Sequence, residues 1–266
     1  YADVLKLISR LEGILNSEKK LTAVIRTEMQ EIADQYADPR RTTLEAPEAT
    51  PVELPKETVL AEDAVVVYTR GGYLKRVSPQ TLKRSPLPSP EESLADSPRW
   101  LLNTTTAETL YIFTDHANCY TLPVGKMTEF RPRDRGQLLS GVLADLEEGE
   151  QALLMLTSDP AAMSSRPDLL FVTRLGQVKR SAAADYAVRS RKYPALNLKR
   201  EDSLLTILSL ETDDDLLLLT RQGMSIRFPL ADIPLQGRVA GGVRGMSLEK
   251  GDEIRYAAQL AEKDEL

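Results

Sequence analysis

The first 36 residues alternate apolar and polar positions with the period of an α-helix. Apolar residues recur every three or four positions, the spacing that places them on one face of a helix. Asn16 and Ser17 interrupt this pattern, and both residue types favour helix ends. The sequence therefore predicts two amphipathic helices, each with its own apolar stripe. The stripes comprise Val4, Ile8, Leu11 and Leu15 in the first helix, and Leu21, Ile25, Met29, Ile32 and Tyr36 in the second.

From residue 60 onward the pattern becomes that of β-strands, and one unit recurs. Each copy has an acidic residue, an apolar run ending in threonine, a turn residue three positions later and a second run. This is the pattern of a β-hairpin whose turn requires a positive φ. The threonines are 45, 59 and 47 residues apart. The copies begin at Asp63, Glu108, Asp168 and Asp215, with threonines Thr69, Thr114, Thr173 and Thr220 and turn residues Gly72, Ala117, Gly176 and Gly223.

A second element recurs between the hairpins. The segments that start at Gly141, Ala195 and Gly242 each suggest a strand, a tight acidic turn and another strand. Two such strands and the following hairpin make about four strands in each repeat, which is the strand count and period of a propeller blade. The sequence thus predicts a series of four-stranded sheets over residues 60–266.

Residues 37–59 have the composition of a linker. Four prolines stand among scattered acidic residues, a mixture that favours extended or flexible chain. Two amphipathic helices beside a break cannot bury their apolar faces alone, so we expect residues 1–36 to pack against something outside this sequence. We therefore expect the sequence to be a segment of a longer protein. The prolines are Pro39, Pro47, Pro51 and Pro55.

Composition narrows the chemistry further. The 266 residues include one Cys and one His and carry a net charge of −6. This content argues against a disulfide framework, a zinc site or a histidine-dependent triad. His116 and Cys119 lie in the second hairpin, and we interpret them as turn and strand residues rather than as metal or redox groups. No apolar run reaches the roughly 18 residues of a membrane span, and no signal peptide is recognisable, so we expect a cytoplasmic protein.

Two segments resemble one known family. "IRFPLADIPLQGRVAGGVRGMSLEKGDEI", from Ile226, is similar to a blade of the C-terminal domain of the A subunit of bacterial type IIA DNA topoisomerases, the gyrases and topoisomerases IV. "LISRLEGILNSEKKLTAVIRTEMQEIADQYADPRRTTLE", from Leu7, resembles the end of that subunit's cleavage domain, where the chain leaves a long coiled coil. The order of helices, linker and repeats matches as well, so the resemblance extends over essentially the whole chain.

The resemblance implies a mainly β fold, a propeller-like β-pinwheel of about four to five blades preceded by two short α-helices. It divides the chain into a helical end of the cleavage-domain coiled coil (1–36), a linker (37–59) and a DNA-binding pinwheel (60–266). Such a domain bends or wraps duplex DNA and presents it to the cleavage core for ATP-dependent strand passage. The implied partners are duplex DNA, a B subunit and a second A subunit joined through the cleavage domain, in a nucleoid-associated enzyme.

The same resemblance places catalysis outside this sequence. The family's catalytic tyrosine and magnesium-binding acids lie elsewhere in the subunit, and ATP binds to the B subunit. No catalytic residue, metal or cofactor is therefore assigned to this chain, which we expect to be inactive alone. Tyr68 and Tyr73 lie inside a hairpin, and we interpret them as packing residues.

Basic residues predict where DNA binds. Lys and Arg hold phosphates without reading sequence, and residues 166–200 carry nine basic and two acidic residues in a chain of net charge −6. If the blades are arranged radially, equivalent hairpin ends and loops fall on one rim and form a curved basic surface. The second hairpin departs from the pattern, because Tyr120 and Thr121 replace its Lys-Arg pair. The predicted DNA-binding residues are Lys75, Arg76, Arg131, Arg133, Arg135, Lys179, Arg180, Arg189, Arg191, Lys192, Arg227, Arg238 and Arg244.

Two alternatives stay open at this level. Gyrase A subunits carry a glutamine-arginine-arginine-glycine-glycine-lysine-glycine box, which does not occur in these 266 residues. Its absence from them favours a topoisomerase IV-type subunit, or a gyrase-like one with weakened wrapping. The alternative function is a propeller-like module that binds protein rather than DNA, through acidic turns such as the one that starts at Glu211.

Overall fold

The computed structural model describes residues 1–38, 61–212 and 214–261, so the predicted linker at 37–59 lies almost wholly outside the described residues. The chain divides into two compact units, Tyr1–Lys56 and Glu57–Leu266, and each is described by itself. Among the described residues, no helix combines the length and the apolar character needed to cross a membrane.

The first unit contains the two predicted helices, α1 (Ala2–Leu15) and α2 (Glu18–Tyr36), which contact each other. Ser17 separates them in an extended conformation, with φ −134° and ψ 105°. Neither helix has a buried residue. Leu15 and Met29, for example, are 72% and 66% exposed. Pairing the two helices therefore leaves their apolar stripes uncovered.

The second unit consists mainly of short β-strands, as its repeated apolar runs predict. Two short helices, α3 (Pro79–Arg84) and α4 (Leu139–Val142), lie between them. The strands are β1 (Asp63–Thr69), β2 (Tyr73–Val77), β3 (Pro98–Thr105), β4 (Thr109–Thr114), β5 (Asn118–Pro123), β6 (Gln137–Leu138), β7 (Ala152–Ser158), β8 (Asp168–Thr173), β9 (Gln177–Ser181), β10 (Lys192–Pro194), β11 (Leu204–Leu210), β12 (Asp215–Thr220), β13 (Ser225–Pro229), β14 (Val243–Arg244) and β15 (Ile254–Leu260).

Within the described residues, these strands form four antiparallel sheets, each built on one predicted hairpin. The first sheet has the strand order β3-β1-β2-β6, the second β7-β4-β5-β10 and the third β11-β8-β9-β14. The fourth sheet has three strands, in the order β15-β12-β13. Four separate hairpin-centred sheets confirm the prediction of a mainly β, propeller-like fold.

The fourth strand of each complete sheet comes from further along the chain than the pattern suggested. β6 follows the second hairpin in sequence but pairs with β2 of the first sheet. In the same way, β10 pairs with β5 and β14 pairs with β9. The strands between hairpins were expected to join the following hairpin, and this expectation is wrong. The two strands between the second and third hairpins, β6 and β7, both join earlier sheets, because β7 pairs with β4 of the second sheet.

This exchange interlocks neighbouring sheets and gives each four-stranded sheet two distinct edges. Contacts between neighbouring sheets join β3 to β7, β7 to β11 and β11 to β15. The exchanged strands β6, β10 and β14 lie at the opposite edge of their sheets. Three strand spacings separate the two edges, a distance of about 14 Å. The exchanged strands therefore form an outer rim, away from the strands that join the sheets.

Apolar side chains fill the space between the sheets. Phe113, Phe171 and Tyr186 pack together where the second and third sheets meet, with ring centroids 5.2 to 6.0 Å apart. Further clusters lie between the first and second sheets and between the third and fourth. A strand covered on both faces has no polar face, so six consecutive residues of β1 are buried. This burial explains why the apolar runs of the sequence do not alternate.

The predicted turns are confirmed. The turn residues Gly72, Ala117, Gly176 and Gly223 have φ values of 84°, 58°, 81° and 86°. In every hairpin, the threonine Oγ1 accepts a hydrogen bond from the backbone N–H four residues later, at 3.0 to 3.3 Å. The four threonines thus occupy equivalent positions and hold the same turn. They are Thr69, Thr114, Thr173 and Thr220.

One predicted strand is a helix. The segment from Gly141 was expected to begin with a strand, but Leu139–Val142 forms α4. The Leu143 N–H donates to the Leu139 carbonyl at 2.9 Å, and both leucines enter the cluster between the first and second sheets. A helical turn spans about 6 Å, whereas four strand residues span about 13 Å. The turn therefore brings both leucines into one cluster, which a strand would not.

Candidate nucleic-acid interface

The lysines of the two predicted Lys-Arg pairs lie inside the protein. Lys75 and Lys179 are 1% and 0% exposed. The Lys75 Nζ donates to the carbonyl oxygen of Asp134 at 2.6 Å, and the Lys179 Nζ donates to that of Arg238 at 2.6 Å. Each amine also bonds a second carbonyl, of Pro132 and Ala195 respectively. The structure therefore directs both amines at backbone oxygens of the interior and not at the surface that DNA would approach.

Burial changes the acidity of these amines. Desolvation lowers the pKa of Lys75, against the opposing attraction of Asp134 and Asp96. Desolvation also lowers the pKa of Lys179 to about 8. The Lys179 Nζ lies 5.1 Å from the centroid of the Phe171 ring, an arrangement that favours the ammonium form. Both lysines are thus structural cations held by carbonyls.

The equivalent position holds other residue types in the other two hairpins, and it is interior in the hairpin whose sheet is complete. Tyr120 replaces the lysine in the second hairpin, is 2% exposed and donates its hydroxyl hydrogen to the Glu150 carboxylate at 2.8 Å. Ile226 replaces it in the fourth hairpin, where β13 is an edge strand, and is 38% exposed. A position that accepts Lys, Tyr and Ile is defined by packing rather than by phosphate.

The arginines of the hairpin ends are partly exposed and paired with acids. The Arg180 Nε lies 2.8 Å from the Asp168 carboxylate, and the Arg227 Nε lies 2.7 Å from the Asp215 carboxylate. Both acids open the same hairpin as their arginine. Arg76 reaches Glu129 at 3.7 Å and is 17% exposed at its side chain. These three arginines border the surface, but their charges are already partly neutralised.

Three further arginines precede β6 at the rim of the first sheet. Arg133 and Arg135 have 62% and 68% exposed side chains, with acids at 3.7 Å and 3.3 Å. Those acids are Glu92 and Asp96. Arg131 is exposed, and no described residue bonds or pairs with its guanidinium. Exposed, weakly paired arginines of this kind suit phosphate contact.

The residues just before β10 contribute basic side chains at the rim of the second sheet. Arg189 and Arg191 are exposed, and within the described ranges neither guanidinium has a hydrogen-bond or ion-pair partner. Lys192 is more tightly held, because its Nζ lies 3.1 Å from the Glu147 carboxylate and 3.0 Å from the Asp145 carbonyl. The two arginines are therefore the freer cations of this segment.

Arg238 precedes the short strand β14 at the rim of the third sheet, and Arg244 is the second residue of that strand. The Arg238 guanidinium donates to the Pro194 carbonyl at 2.7 Å and stacks 5.2 Å from the Tyr193 ring centroid. Arg244 is exposed, and its guanidinium has no partner in the part of the chain that the structure describes. Arg238 thus joins two exchanged segments, while Arg244 faces outward.

Seven arginines of the predicted set therefore lie on the exchanged segments of three successive sheets; six of them are exposed, and Arg238 is partly buried. All of them lie on β6, β10 or β14 or just before these strands, at the edge away from the contacts between sheets. The sequence pattern does not distinguish the hairpin ends from these loops, whereas the structure separates the two groups. We call the outer group the rim arginines: Arg131, Arg133, Arg135, Arg189, Arg191, Arg238 and Arg244.

Acidic residues of the tight turns have a structural role that sequence reasoning missed. Glu150, Asp202 and Asp252 each stand two residues before a strand of a sheet. Asp202 and Asp252 accept backbone hydrogen bonds from the hairpin turns, at 3.0 Å from Leu175 and 3.2 Å from Gln222. These acids therefore fix the turns. Their constant spacing from the strand that follows is the signal that could have identified them.

His116, Glu147 and Glu150 lie close enough together to suggest a metal site. The His116 Nδ1 is 2.9 Å from the Glu147 carboxylate. Glu150 is buried, and both of its oxygens already accept hydrogen bonds, from Thr114, Asn118, Tyr120 and the Glu147 N–H. With its lone pairs used in this way, Glu150 braces the second hairpin.

Cys119 is a packing residue, as predicted from its place in the strand. The thiol is buried and lies 3.3 Å from the Tyr193 hydroxyl. Burial raises the pKa of Cys119 to about 12. The thiolate, which is the reactive form, is therefore disfavoured at neutral pH.

Comparison with known proteins shows what this chain is similar to. Residues 167–211 and 214–261, which include the third and fourth hairpins, match the family described as DNA gyrase C-terminal domain, beta-propeller. The chain is 29% identical over 259 residues to the A subunit of DNA topoisomerase 4 from Streptococcus pyogenes serotype M3, covering 96% of this chain and 31% of that protein. It is 32% identical over 270 residues to the A subunit of DNA gyrase from Haloquadratum walsbyi, covering 98% of this chain and 31% of that protein.

Solved structures agree with the sequence comparisons. The crystal structure of the C-terminal domain of DNA topoisomerase IV is similar with a TM-score of 0.71 and 26% identity, over 77% of this chain and 64% of that one. The E. coli ParC C-terminal domain shares the fold, with a TM-score of 0.60 and 18% identity, over 75% of this chain and 80% of that one. The predicted resemblance to the C-terminal domain of these topoisomerase A subunits is confirmed. The chain spans about a third of the length of the curated relatives it matches.

Proposed function

We propose that this chain is the DNA-binding end of the A subunit of a type IIA topoisomerase. In this proposal, residues 1–36 end the cleavage-domain coiled coil, 37–59 form a linker, and 60–266 bend or wrap duplex DNA. The pinwheel presents that DNA to a cleavage core for ATP-dependent strand passage. The core, a B subunit and a second A subunit complete the cytoplasmic, nucleoid-associated enzyme.

The observation that carries the proposal is the common location of the rim arginines. Phosphate contacts need accessible cations, and the rim arginines lie on or just before the exchanged strands of three successive sheets. Sheets packed side by side around their joining strands place these edges along a curve. A duplex that follows the curve must bend, at an elastic cost that the phosphate contacts offset. An overall charge of −6 is compatible with this, because the binding cations are local.

The proposed contact surface differs from the predicted set in one respect. The rim arginines and Lys192 form its centre, and Arg76, Arg180 and Arg227 border it. Lys75 and Lys179 are left out of direct contact because their amines bond interior carbonyls. In the proposal, these lysines support the surface from inside, through the loops that carry the arginines.

The test is a substitution of the freest rim cations. Replacing Arg131, Arg189, Arg191 and Arg244 by Gln removes four positive charges with little change of volume. Each lost phosphate contact lowers the slope of log affinity against log salt by about 0.9, so the slope falls by roughly 3 to 4. Titration of a fluorescent duplex at several salt concentrations measures both the slope and the affinity.

The matched control changes four exposed cations that lie away from the exchanged segments. Replacing Arg70, Arg221, Lys250 and Arg255 by Gln gives the same change in net charge. The proposal expects this variant to bind nearly as tightly as the wild type. Equal losses in both variants would mean diffuse charge attraction without a defined surface. No duplex affinity of the wild type at low salt would favour the alternative, a module that binds protein.

Within the family, we propose a topoisomerase IV-type subunit, or a gyrase-like one that wraps DNA weakly. The support is the absence of the seven-residue gyrase box from these 266 residues. A ligation assay that reports writhe in relaxed circles tests this. Weak wrapping predicts a small change in linking number per bound chain, and a large change of constant sign would indicate gyrase-type wrapping.

A further inference from the structure

A groove of about 510 Å³ lies beside the second hairpin. Its volume falls in the range of small-molecule sites. Leu122 of β5, Val142 of α4 and Val188 contribute apolar surface, and all three are only partly buried. The segment 187–191, which leads into the exchanged strand β10, forms one wall. The groove thus combines an apolar floor with a wall that carries two rim arginines.

The phenol ring of Tyr111 lines this groove. Tyr111 is 1% exposed, and no described residue forms a hydrogen bond with its hydroxyl. The buried side-chain atoms without a partner in the described residues belong to Asp96, Asp202 and Gln236, so the Tyr111 hydroxyl oxygen, which is not among them, is open to the groove. Because Tyr111 lines the groove, a bound molecule can replace water as the hydrogen-bond partner of this hydroxyl.

The charged side chains around the groove determine whether its ligand is an anion or a cation. Lys126, Arg189 and Arg191 line it, and all three are exposed. None of these cations has a hydrogen-bond or ion-pair partner among the described residues. Asp145 is the acid among the lining residues. Three cations and one acid favour an anion, and guanidinium groups bind carboxylate, sulfonate and phosphate oxygens well.

We propose that this groove binds a small anion that carries an aromatic or aliphatic body. The anionic group pairs with Arg189 and Arg191, and the apolar body covers Leu122, Val142 and Val188. The Tyr111 hydroxyl hydrogen-bonds to the bound molecule. The ligand class is thus an amphipathic carboxylate, sulfonate or phosphate small enough for a volume of about 510 Å³.

The groove shares its arginines with the proposed DNA surface. One consequence rests on the proposed function: a molecule that occupies Arg189 and Arg191 competes with duplex DNA for the rim of the second sheet. Such a ligand would weaken DNA binding without unfolding the domain. Binding to the groove itself does not depend on this consequence, so the two are measured separately.

The experiment uses 2-naphthoate as the probe and the whole chain with labelled methyl groups. Methyl resonances of Leu122, Val142 and Val188 are expected to shift together and saturably in NMR spectra. Replacing Arg189 and Arg191 by Gln is expected to weaken the fitted affinity about tenfold or more. Tyr111→Phe removes one hydrogen bond and is expected to weaken it about threefold to tenfold.

The control replaces Arg221 and Lys250 by Gln, which changes the charge equally and leaves the affinity for 2-naphthoate unchanged. Shifts confined to methyls of the exposed helices, such as those of Leu11, would overturn the proposal, as would no shift at millimolar probe. Equal weakening in the control variant would also overturn it. Competition is tested separately, by duplex titration with and without 2-naphthoate. If the probe binds the groove and does not compete with the duplex, only the shared use of Arg189 and Arg191 is refuted.

Discussion

The Nζ of Lys179 lies 2.6 Å from the carbonyl oxygen of Arg238, so a buried amine holds the loop that carries a rim arginine. The first sheet repeats this arrangement, because the Lys75 Nζ lies 2.6 Å from the carbonyl oxygen of Asp134, next to Arg135. In both sheets the lysine belongs to the hairpin and the carbonyl to the segment before an exchanged strand. The lysines therefore connect the interior of a sheet to its rim.

Lys179→Ala is expected to lower stability and to leave the salt dependence of DNA binding nearly unchanged. The substitution opens a cavity beside Phe171 and leaves the Arg238 carbonyl unpaired, which together cost about 2–4 kcal/mol. The salt slope changes little because the amine contacts no phosphate. Urea unfolding measures the first effect and duplex titration the second. Lys199→Ala, at an exposed position, is the control and stays within about 0.5 kcal/mol. If Lys179→Ala is as stable as the wild type and has a reduced salt slope, Lys179 contacts DNA directly.

The stability contributed by Lys179 is expected to rise with pH. Burial lowers its pKa from 10.5 to about 8, so the unfolded chain binds more protons between these values and stability increases over this window. The free energy of unfolding of the wild type, relative to Lys179→Ala, should rise between pH 8 and pH 10.5. The rise is on the order of 3 kcal/mol. Urea titrations of both proteins across this range test it, and a difference that is constant with pH would contradict it.

The local structure of the repeats could be predicted because interactions within each hairpin determine the conformation of its turn. Thr69 and Gly72 define one turn through a side-chain hydrogen bond and a positive φ. The same pair of positions defines the other three turns. Interactions within five residues of the chain determine these features, so four aligned copies were enough to identify them.

The destination of the exchanged strands could not be predicted, because it depends on partners far along the chain. β14 has two residues, Val243 and Arg244, which pair with Val178 and Gln177. A two-residue strand has no periodicity, and nothing in it identifies which hairpin it joins. The exchange is determined by unpaired backbone groups at the edge of β9, which exist only after the sheet has formed.

The burial of Lys75 and Lys179 was predictable in principle. The equivalent residues Tyr120 and Ile226 indicate an interior position when the four hairpins are compared column by column. The hypothesis of a basic hairpin end read each Lys-Arg pair as one unit, although neighbouring strand residues point to opposite faces. In β9, Lys179 is 0% exposed, while the side chain of Arg180 is 23% exposed.

Glu147→Gln is expected to lower the pKa of His116. The hydrogen bond that the His116 ring donates to the Glu147 carboxylate raises this pKa above 6.5, against some desolvation, and Asp115 and Glu150 add attraction. The pairing therefore stabilises the fold below pH 6.5 and is lost as pH rises through the pKa of folded His116. NMR titration of the imidazole measures the change. Glu148→Gln, at the neighbouring exposed acid, is the control, and equal titration curves in all three proteins would exclude the interaction.

The helices α1 and α2 are expected to be cleaved by trypsin before the pinwheel in a monomeric sample. Neither helix buries a residue, and segments with few buried contacts open at low free-energy cost. Early cleavage should occur at sites such as Arg10 and Arg26, and mass spectrometry of timed digests identifies them. Protection that increases with protein concentration would indicate that a second copy covers the stripes. Equal resistance of helices and pinwheel at high dilution would contradict the expectation.

Gly242→Ala is expected to release the exchanged strand β14, and with it part of the DNA surface. Gly242 has φ 84°, and an added Cβ would lie 2.6 Å from the Val178 carbonyl oxygen, too close for the strand to pair with β9. Gly251 offers a matched control, since it has the same φ of 84° but open space around its Cβ position. Gly251→Ala therefore costs only the backbone strain of a left-handed residue, about 1–2 kcal/mol. Gly242→Ala should lose clearly more stability in urea unfolding, expose the amide of Val243 to hydrogen exchange, and weaken duplex binding. If both variants behave alike, the close approach of Gly242 does not hold β14 in place, and Arg244 does not depend on it.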